Sequence, residues 1–354
     1  MAVLAESFKK ALGNIEPQRK EEGDDAKNAK AAHAEVSEVL MGDERLKLWG
    51  ISPILIGSYG RDVSIRRIKD VDVFGRLIAP PDSLLPGAAL DEFERVLRDE
   101  YGDRCVKQFR SFKIEFPDYD LSVDVVPARV YGDNWQIPSR KNVRAEWLET
   151  NPIKLGELTT TMNADERFLL GDKGVYVPLV KLVRQTRRAV LGPDPQPGGL
   201  FLELMTLQVF TESMETQDSY AGYLAAVLRG IADLFPDVVK NELDDPTVEG
   251  NKISTKATNA ELREAAEKFE AAADLAQVAL DEPDTCEAAE LWAQLLGDNC
   301  DGPVFELPSF CTPKARILAA ATTAAAAAAI AAAAHRRSTA GSDRVPAGSG
   351  RYAW

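Results

Sequence analysis

The stretch from Ile54 to Leu77, ILIGSYGRDVSIRRIKDVDVFGRL, constrains this chain more than any other. An apolar run, Ile54-Leu55-Ile56, stops at Gly57-Ser58. Twelve residues after Ser58 begins a second apolar segment, Asp70 to Ile78, which carries Asp70 and Asp72 among valines. Both runs predict strands. Strand side chains alternate faces, so Asp70 and Asp72 project from one side about 7 Å apart while Val71 and Val73 enter a core. Two carboxylates placed this way suit hard, oxygen-loving cations such as magnesium. Gly57-Ser58 falls at a strand-to-helix turn, where glycine permits close backbone approach and free N–H groups with a hydroxyl can hold a phosphate.

A third acid belongs with these. Phe112–Phe116 and Leu121–Val125 alternate around Pro117-Asp118-Tyr119-Asp120, the pattern of a β-hairpin. Asp124 sits on its second strand between Val123 and Val125, an apolar setting in which an unpaired carboxylate is costly. A D-x-D alone is usually a solvated strand edge, and a Gly-Ser pair usually just a turn. Gly-Ser, a twelve-residue step, a D-x-D on an apolar strand and a lone later Asp on a hairpin strand form a far more specific set.

The 354 residues suggest two packed units, at about 150 residues per domain. Apolar residues at 45% and charged ones at 28% fit a folded globular chain and neither a disordered nor a fibrous one. Forty-two Lys and Arg against fifty-six Asp and Glu leave a net charge of -14, which repels a long nucleic acid and favours small nucleotides or proteins as partners. The four cysteines lack C-x-x-C spacing and only two histidines accompany them, so a zinc site is not expected. With no signal-peptide run at the N-terminus, the chain reads as cytoplasmic with free thiols. The alanine run Ala319 to Ala334 is too weakly apolar and too short for a membrane span.

Helical spacing runs through residues 5 to 48, interrupted around Gly23, and Leu90 to Tyr101 predicts another helix. After Pro152 strand signals fade, and helical periodicity takes over in Val177–Val190, Leu200–Met214, Tyr220–Phe235 and Asn259–Leu280. The expected organisation is a mixed α/β unit over 1–155, a helical lobe over 156–312, and an Ala-rich helix with a flexible end over 313–354. Tyr352 and Trp354 stand out as aromatic anchors in that small-residue end, fit to be read by a regulatory protein.

The motif resembles the polymerase-beta-like nucleotidyltransferase superfamily, in the branch of oligoadenylate synthases and cyclic-GMP-AMP-synthase-like enzymes. LVKLVRQTRR (Leu179–Arg188) resembles the helix after that branch's core, LDDPTVEGNKIS (Leu243–Ser254) its Asp-Pro…Asn segment, and AAELWAQLLGD (Ala288–Asp298) the Trp-containing closing helix of bacterial members. Coverage runs from about residue 5 to 310, and the likeness is to the bacterial cyclic di- and trinucleotide synthases that signal phage infection. Val63 departs from the pattern, standing where a threonine is common.

The resemblance implies an α+β fold: a nucleotidyltransferase core with a mixed sheet, a spanning N-terminal helix and a C-terminal helical lobe. It implies two magnesium ions, with manganese as a substitute, held by Asp70, Asp72 and Asp124, and ribonucleoside triphosphates, ATP among them, as substrates. Gly57, Ser58 and Lys181 would take phosphates. Phe201, in GGLFLELMTL, resembles the family's base-stacking aromatic, although Leu200 and Leu202 beside it also suit a core position. A cyclic oligonucleotide would be the product and pyrophosphate the by-product. The rival readings are an adenylyltransferase acting on a protein, an RNA end or a small molecule, which shares these residues and differs only in its acceptor, and a nucleotide-binding scaffold without catalysis, which the three intact aspartates disfavour.

Overall fold

The computed structural model describes residues 2–17, 25–192, 196–253 and 255–311. The chain divides into two compact units, Met1–Leu307 and Pro308–Trp354. The alanine run and Tyr352 and Trp354 lie outside the described residues. Among the described residues no helix is long and apolar enough to cross a membrane.

The first unit opens with α1 (Ala2–Ile15), α2 (Asp25–Gly42) and the short α3 (Glu44–Leu48). A seven-stranded sheet follows, built from β1 (Ile51–Ile56), β2 (Asp70–Leu77), β3 (Cys105–Lys107), β4 (Phe112–Phe116), β5 (Leu121–Tyr131), β6 (Asn134–Pro138) and β7 (Trp147–Thr150). Its order is β1-β2-β5-β4-β3, with β6 pairing both β5 and β7. The sheet is mixed. β2 and β5 run parallel and the remaining pairs antiparallel. Four-residue α4 (Gly57–Gly60) caps β1, and α5 (Pro86–Tyr101) covers the sheet with α2.

Alternation along the strands decides which side chains are buried. Val71 and Val73 of β2 and Val123 and Val125 of β5 enter a core with Val36 and Leu40 of α2 and Phe93 and Leu97 of α5. The intervening residues, Asp70, Asp72 and Phe74 on β2 and Asp124 and Val126 on β5, therefore share the opposite face. α5 starts at Pro86, a turn before the periodicity suggested, because proline at the first helical position loses no hydrogen bond there. The hairpin's second strand continues to Tyr131, where it gains β6 as a partner.

After the sheet come α6 (Pro152–Asn163), α7 (Tyr176–Leu191), α8 (Gly199–Glu212), α9 (Tyr220–Asn241), α10 (Asn259–Asp281) and α11 (Thr285–Leu296). The run TTTM in α6 hides its helical signal, since β-branched residues are poor helix formers. Asn151 and Pro152 mark its start: the Asn151 side chain accepts from the Lys154 N–H at 2.9 Å. α7 to α11 enclose a second core, which Phe8, Ala11 and Ile15 of α1 complete. The Phe8 ring meets Trp292 of α11 and Phe305 edge-on, each at 5.1 Å. The N-terminal helices thus serve different cores, α1 the helical one and α2 that of the sheet. Cys105 and Cys300 are free thiols, while Cys286 and Cys311, expected to be free as well, are disulfide-bonded.

Candidate active site

The polar face of β2 and β5 opens on a cavity of about 430 Å³. Gly57, Ser58, Arg61, Asp70 and Asp72 contribute to its wall, with Arg184 of α7, Gly199, Leu200 and Leu204 of α8, and Arg110 of the β3–β4 turn. Asp245, Thr247 and Ile253 close it from the Asp-Pro…Asn segment. That segment is tied to the sheet unit. Asn251 donates to the Glu149 carbonyl at 3.0 Å, and Lys154 donates to the Thr247 carbonyl at 3.1 Å.

Parallel pairing sets Asp72 directly beside Asp124, with Asp70 beside Ser122. Burial, then Asp70, then Asp124 push the Asp72 carboxyl up to about 7, against the opposing pull of Arg61 and Arg184. Burial and then Asp70 push Asp124 up to about 6, opposed by Lys113 and Lys256. Gln108 donates to Asp124 at 3.4 Å. Among the described residues no group of three or more His, Cys, Asp or Glu side chains forms a ready metal cage. Burial and mutual repulsion make the Asp72 and Asp124 carboxyls weaker acids than usual, and the all-oxygen donor set fits a hard divalent ion.

Gly57 makes the arrangement possible. Its φ of +74° lies in the left-handed region, and a Cβ there would stand 1.8 Å from Asp72 Oδ2. The missing side chain is the space the carboxylate occupies. The Ser58 and Ser64 hydroxyls hydrogen-bond at 3.0 Å, which fixes Ser58 at the cavity wall.

Behind the carboxylates lies a buried ion cluster that sequence reasoning did not assemble. Arg61 donates to Glu203 of α8 twice, from Nε at 2.7 Å and Nη2 at 3.0 Å, and Arg184 Nη1 lies 3.7 Å from the same carboxylate. The Glu203 side chain is only 1% exposed. A lone acid in the apolar run LFLELM was the available signal. Replacing it by glutamine leaves two buried guanidiniums without their anion. We expect Glu203→Gln to cost about 3–5 kcal/mol, read as a fall in the urea midpoint; an unchanged midpoint would show that the cluster adds nothing to stability.

The basic residues of α7 meet different surroundings. Lys181, 2% exposed, donates to Glu16 at 2.7 Å and to Asp62 at 3.3 Å and stands outside the cavity wall. Arg184 lines the cavity, and Arg188 donates to the Arg66 carbonyl at 2.5 Å. Phe201 is buried in the helical core, while its neighbour Leu200 faces the cavity. The structure therefore brings together Gly57, Ser58, Asp70, Asp72 and Asp124, and leaves Lys181 and Phe201 apart from them.

Comparison with known proteins follows the same lines. Residues 1–163 match the model of the Second Messenger Oligonucleotide or Dinucleotide Synthetase domain. A cyclic AMP-AMP-AMP synthase of an Acinetobacter strain is 27% identical over 307 residues, covering 83% of this chain and 84% of that protein. Among solved structures, the Bradyrhizobium diazoefficiens CD-NTase CdnG in complex with GTP aligns with a TM-score of 0.63 at 16% identity, over 84% of this chain and 96% of that one. The Escherichia coli MS115-1 CdnC:HORMA-deltaN complex aligns with a TM-score of 0.60 at 15% identity, over 85% and 98%. The fold is that of the polymerase-beta-like CD-NTases.

Proposed function

We propose a reaction for a chain whose residues 1–163 belong to the Second Messenger Oligonucleotide or Dinucleotide Synthetase family: it joins ribonucleoside triphosphates into a cyclic oligonucleotide, releasing pyrophosphate at each step. The observation that carries this reading is the pairing of Asp72 with Asp124 on adjacent parallel strands, with Asp70 and Asp72 in the wall of a cavity and Gly57 leaving the room that the Asp72 carboxylate fills. ATP is the substrate that the Acinetobacter relative's name supports.

Asp70, Asp72 and Asp124 would hold two divalent ions, Mg²⁺ or Mn²⁺. Such ions, when bound, neutralise a triphosphate and lower the pKa of an adjacent hydroxyl. Gly57 and Ser58 grip the donor's phosphates beside Asp70 and Asp72. Asp124, one strand away, stands beside the attacking ribose hydroxyl. The hydroxyl gives up its proton to water as its oxygen attacks the donor's α-phosphorus in line, and the bond to the bridging oxygen of pyrophosphate breaks. Repeating the step on the linear product, with its own 5′-triphosphate as donor, closes the ring. The triphosphate pool places this work in the cytoplasm, and the HORMA complex of the E. coli neighbour supports a regulatory protein partner here, in anti-phage signalling.

Ring closure leaves no terminal phosphate. Incubation with radiolabelled ATP and Mg²⁺, followed by alkaline phosphatase, is expected to leave a resistant species whose mass matches a cyclic di- or trinucleotide. Complete conversion to inorganic phosphate and linear material would favour a linear transferase instead.

A further inference from the structure

Arg110 has no role in the reaction as described, yet it stands in the cavity wall. It sits on the β3–β4 turn, which is held rigid: the Gln108 N–H donates to the Ser111 carbonyl at 2.8 Å, and the Ser111 hydroxyl to Gln108 Oε1 at 2.9 Å. Gln108 also reaches Asp124, so the turn that presents Arg110 is fastened to the third carboxylate. Arg110 Nη1 is shielded from solvent and has no hydrogen-bond partner. A desolvated guanidinium nitrogen left unpaired is costly, and its natural complement is an anion. Burial, then the charge of Arg140, pulls the guanidinium down to about 10, and no acid offsets them.

The sheet order sets Arg110 apart from the turn that would take the donor's triphosphate. Gly57 follows β1, and the β3–β4 turn lies beyond β2 and β5, about three strand spacings or 14 Å away. The carboxylates stand between the two. Arg61 and Arg184 act on Asp72, whereas Arg110 stands on the turn whose Gln108 reaches Asp124, the carboxylate near which the attacking hydroxyl belongs. The acceptor's 5′-phosphate hangs from the same ribose as that hydroxyl. Resting on the synthase reading above, we infer that Arg110 is a specificity-determining residue that binds the phosphate on the 5′ oxygen of the acceptor nucleotide. In the first step that group is the α-phosphate of the acceptor triphosphate; in the next, where the former donor nucleotide offers its hydroxyl, it is the internal phosphodiester of the linear intermediate. Arg110 thus discriminates in favour of nucleotides and growing chains over bare nucleosides.

The test separates donor from acceptor. 2′,3′-Dideoxy-ATP serves as a donor that cannot accept, and adenosine or AMP as acceptors that cannot donate, with the dinucleotide products measured by mass spectrometry in Mg²⁺. The full-length wild-type chain is expected to use AMP at least tenfold better than adenosine in acceptor kcat/KM. Arg110→Gln should bring that ratio to about one, with adenosine use and donor KM within twofold of wild type, and Arg110→Lys should restore part of the preference. A ratio unchanged in Arg110→Gln overturns the assignment. So does an equal loss of both acceptors, which would point to a base contact or a structural role. Pyrophosphate release by the wild type from ATP alone is the control: its absence would sink the synthase reading itself, whereas its presence with an unchanged ratio sinks only the role of Arg110.

Discussion

Asp72→Asn is expected to abolish synthesis and, at the same time, to make the metal-free protein more stable. Removing this charge should lower turnover at least 10³-fold, about 4 kcal/mol of barrier, in a pyrophosphate-release assay. Asp70→Asn should do the same, and near-normal activity in both would remove the metal assignment. The stability effect follows from linkage. The folded-state pKa of Asp72 is raised to about 7, so between about pH 4 and pH 7 the native chain holds a proton that the unfolded chain has released. Stability is therefore lost as pH rises through that window. Asparagine carries no charge and escapes the loss. At pH 8, without divalent ions, Asp72→Asn should gain about 2–4 kcal/mol, or about 5 °C in Tm, and the gain should vanish near pH 4. A Tm equal to or below wild type at pH 8 would contradict the strained carboxylate cluster. Asp124→Asn should keep Mg²⁺–ATP binding in calorimetry while losing turnover.

Gly57→Ala should also abolish turnover, by at least 10²-fold, but with the opposite sign in stability. The added Cβ meets Asp72 Oδ2 at 1.8 Å and must displace either the carboxylate or the turn. It must also adopt φ near +74°, a strain of about 1–2 kcal/mol for a residue with a side chain. Gly102→Ala separates the two costs: its φ is +54°, and nothing lies within 4 Å of the added atom. That variant should lose stability to backbone strain alone and no activity. If Gly57→Ala kept full turnover, the Gly57–Asp72 contact would have no bearing on catalysis.

These two residues show why the central site was legible. Strand alternation is a local rule, so VDV fixed which face Asp72 takes before any tertiary contact was known. The positions of β1, β2, β4 and β5 follow from the same rule. Lys181 and Phe201 rested instead on resemblance, which cannot say which neighbour a side chain meets in this chain. Glu16 and Asp62, 165 and 119 residues from Lys181 in sequence, hold its ammonium. Arg61 and Glu203 are separated by 142 residues, a pairing no local pattern could disclose. Arg110 lay in a turn with no periodic signal, and only the closing of the sheet brought it to the cavity.

The edge-on contacts of Phe8 with Trp292 and Phe305 bear on how the molecule is born. At about 5–20 residues per second, a ribosome that has released Phe8 needs about 15–60 seconds more to deliver Phe305. Through that interval α1 has no finished core to enter, and Glu203 reaches Arg61 only after two-thirds of the way. Nascent chains therefore spend most of their synthesis without a complete site, and a cell making a signal-producing protein gets no signal from a half-built one.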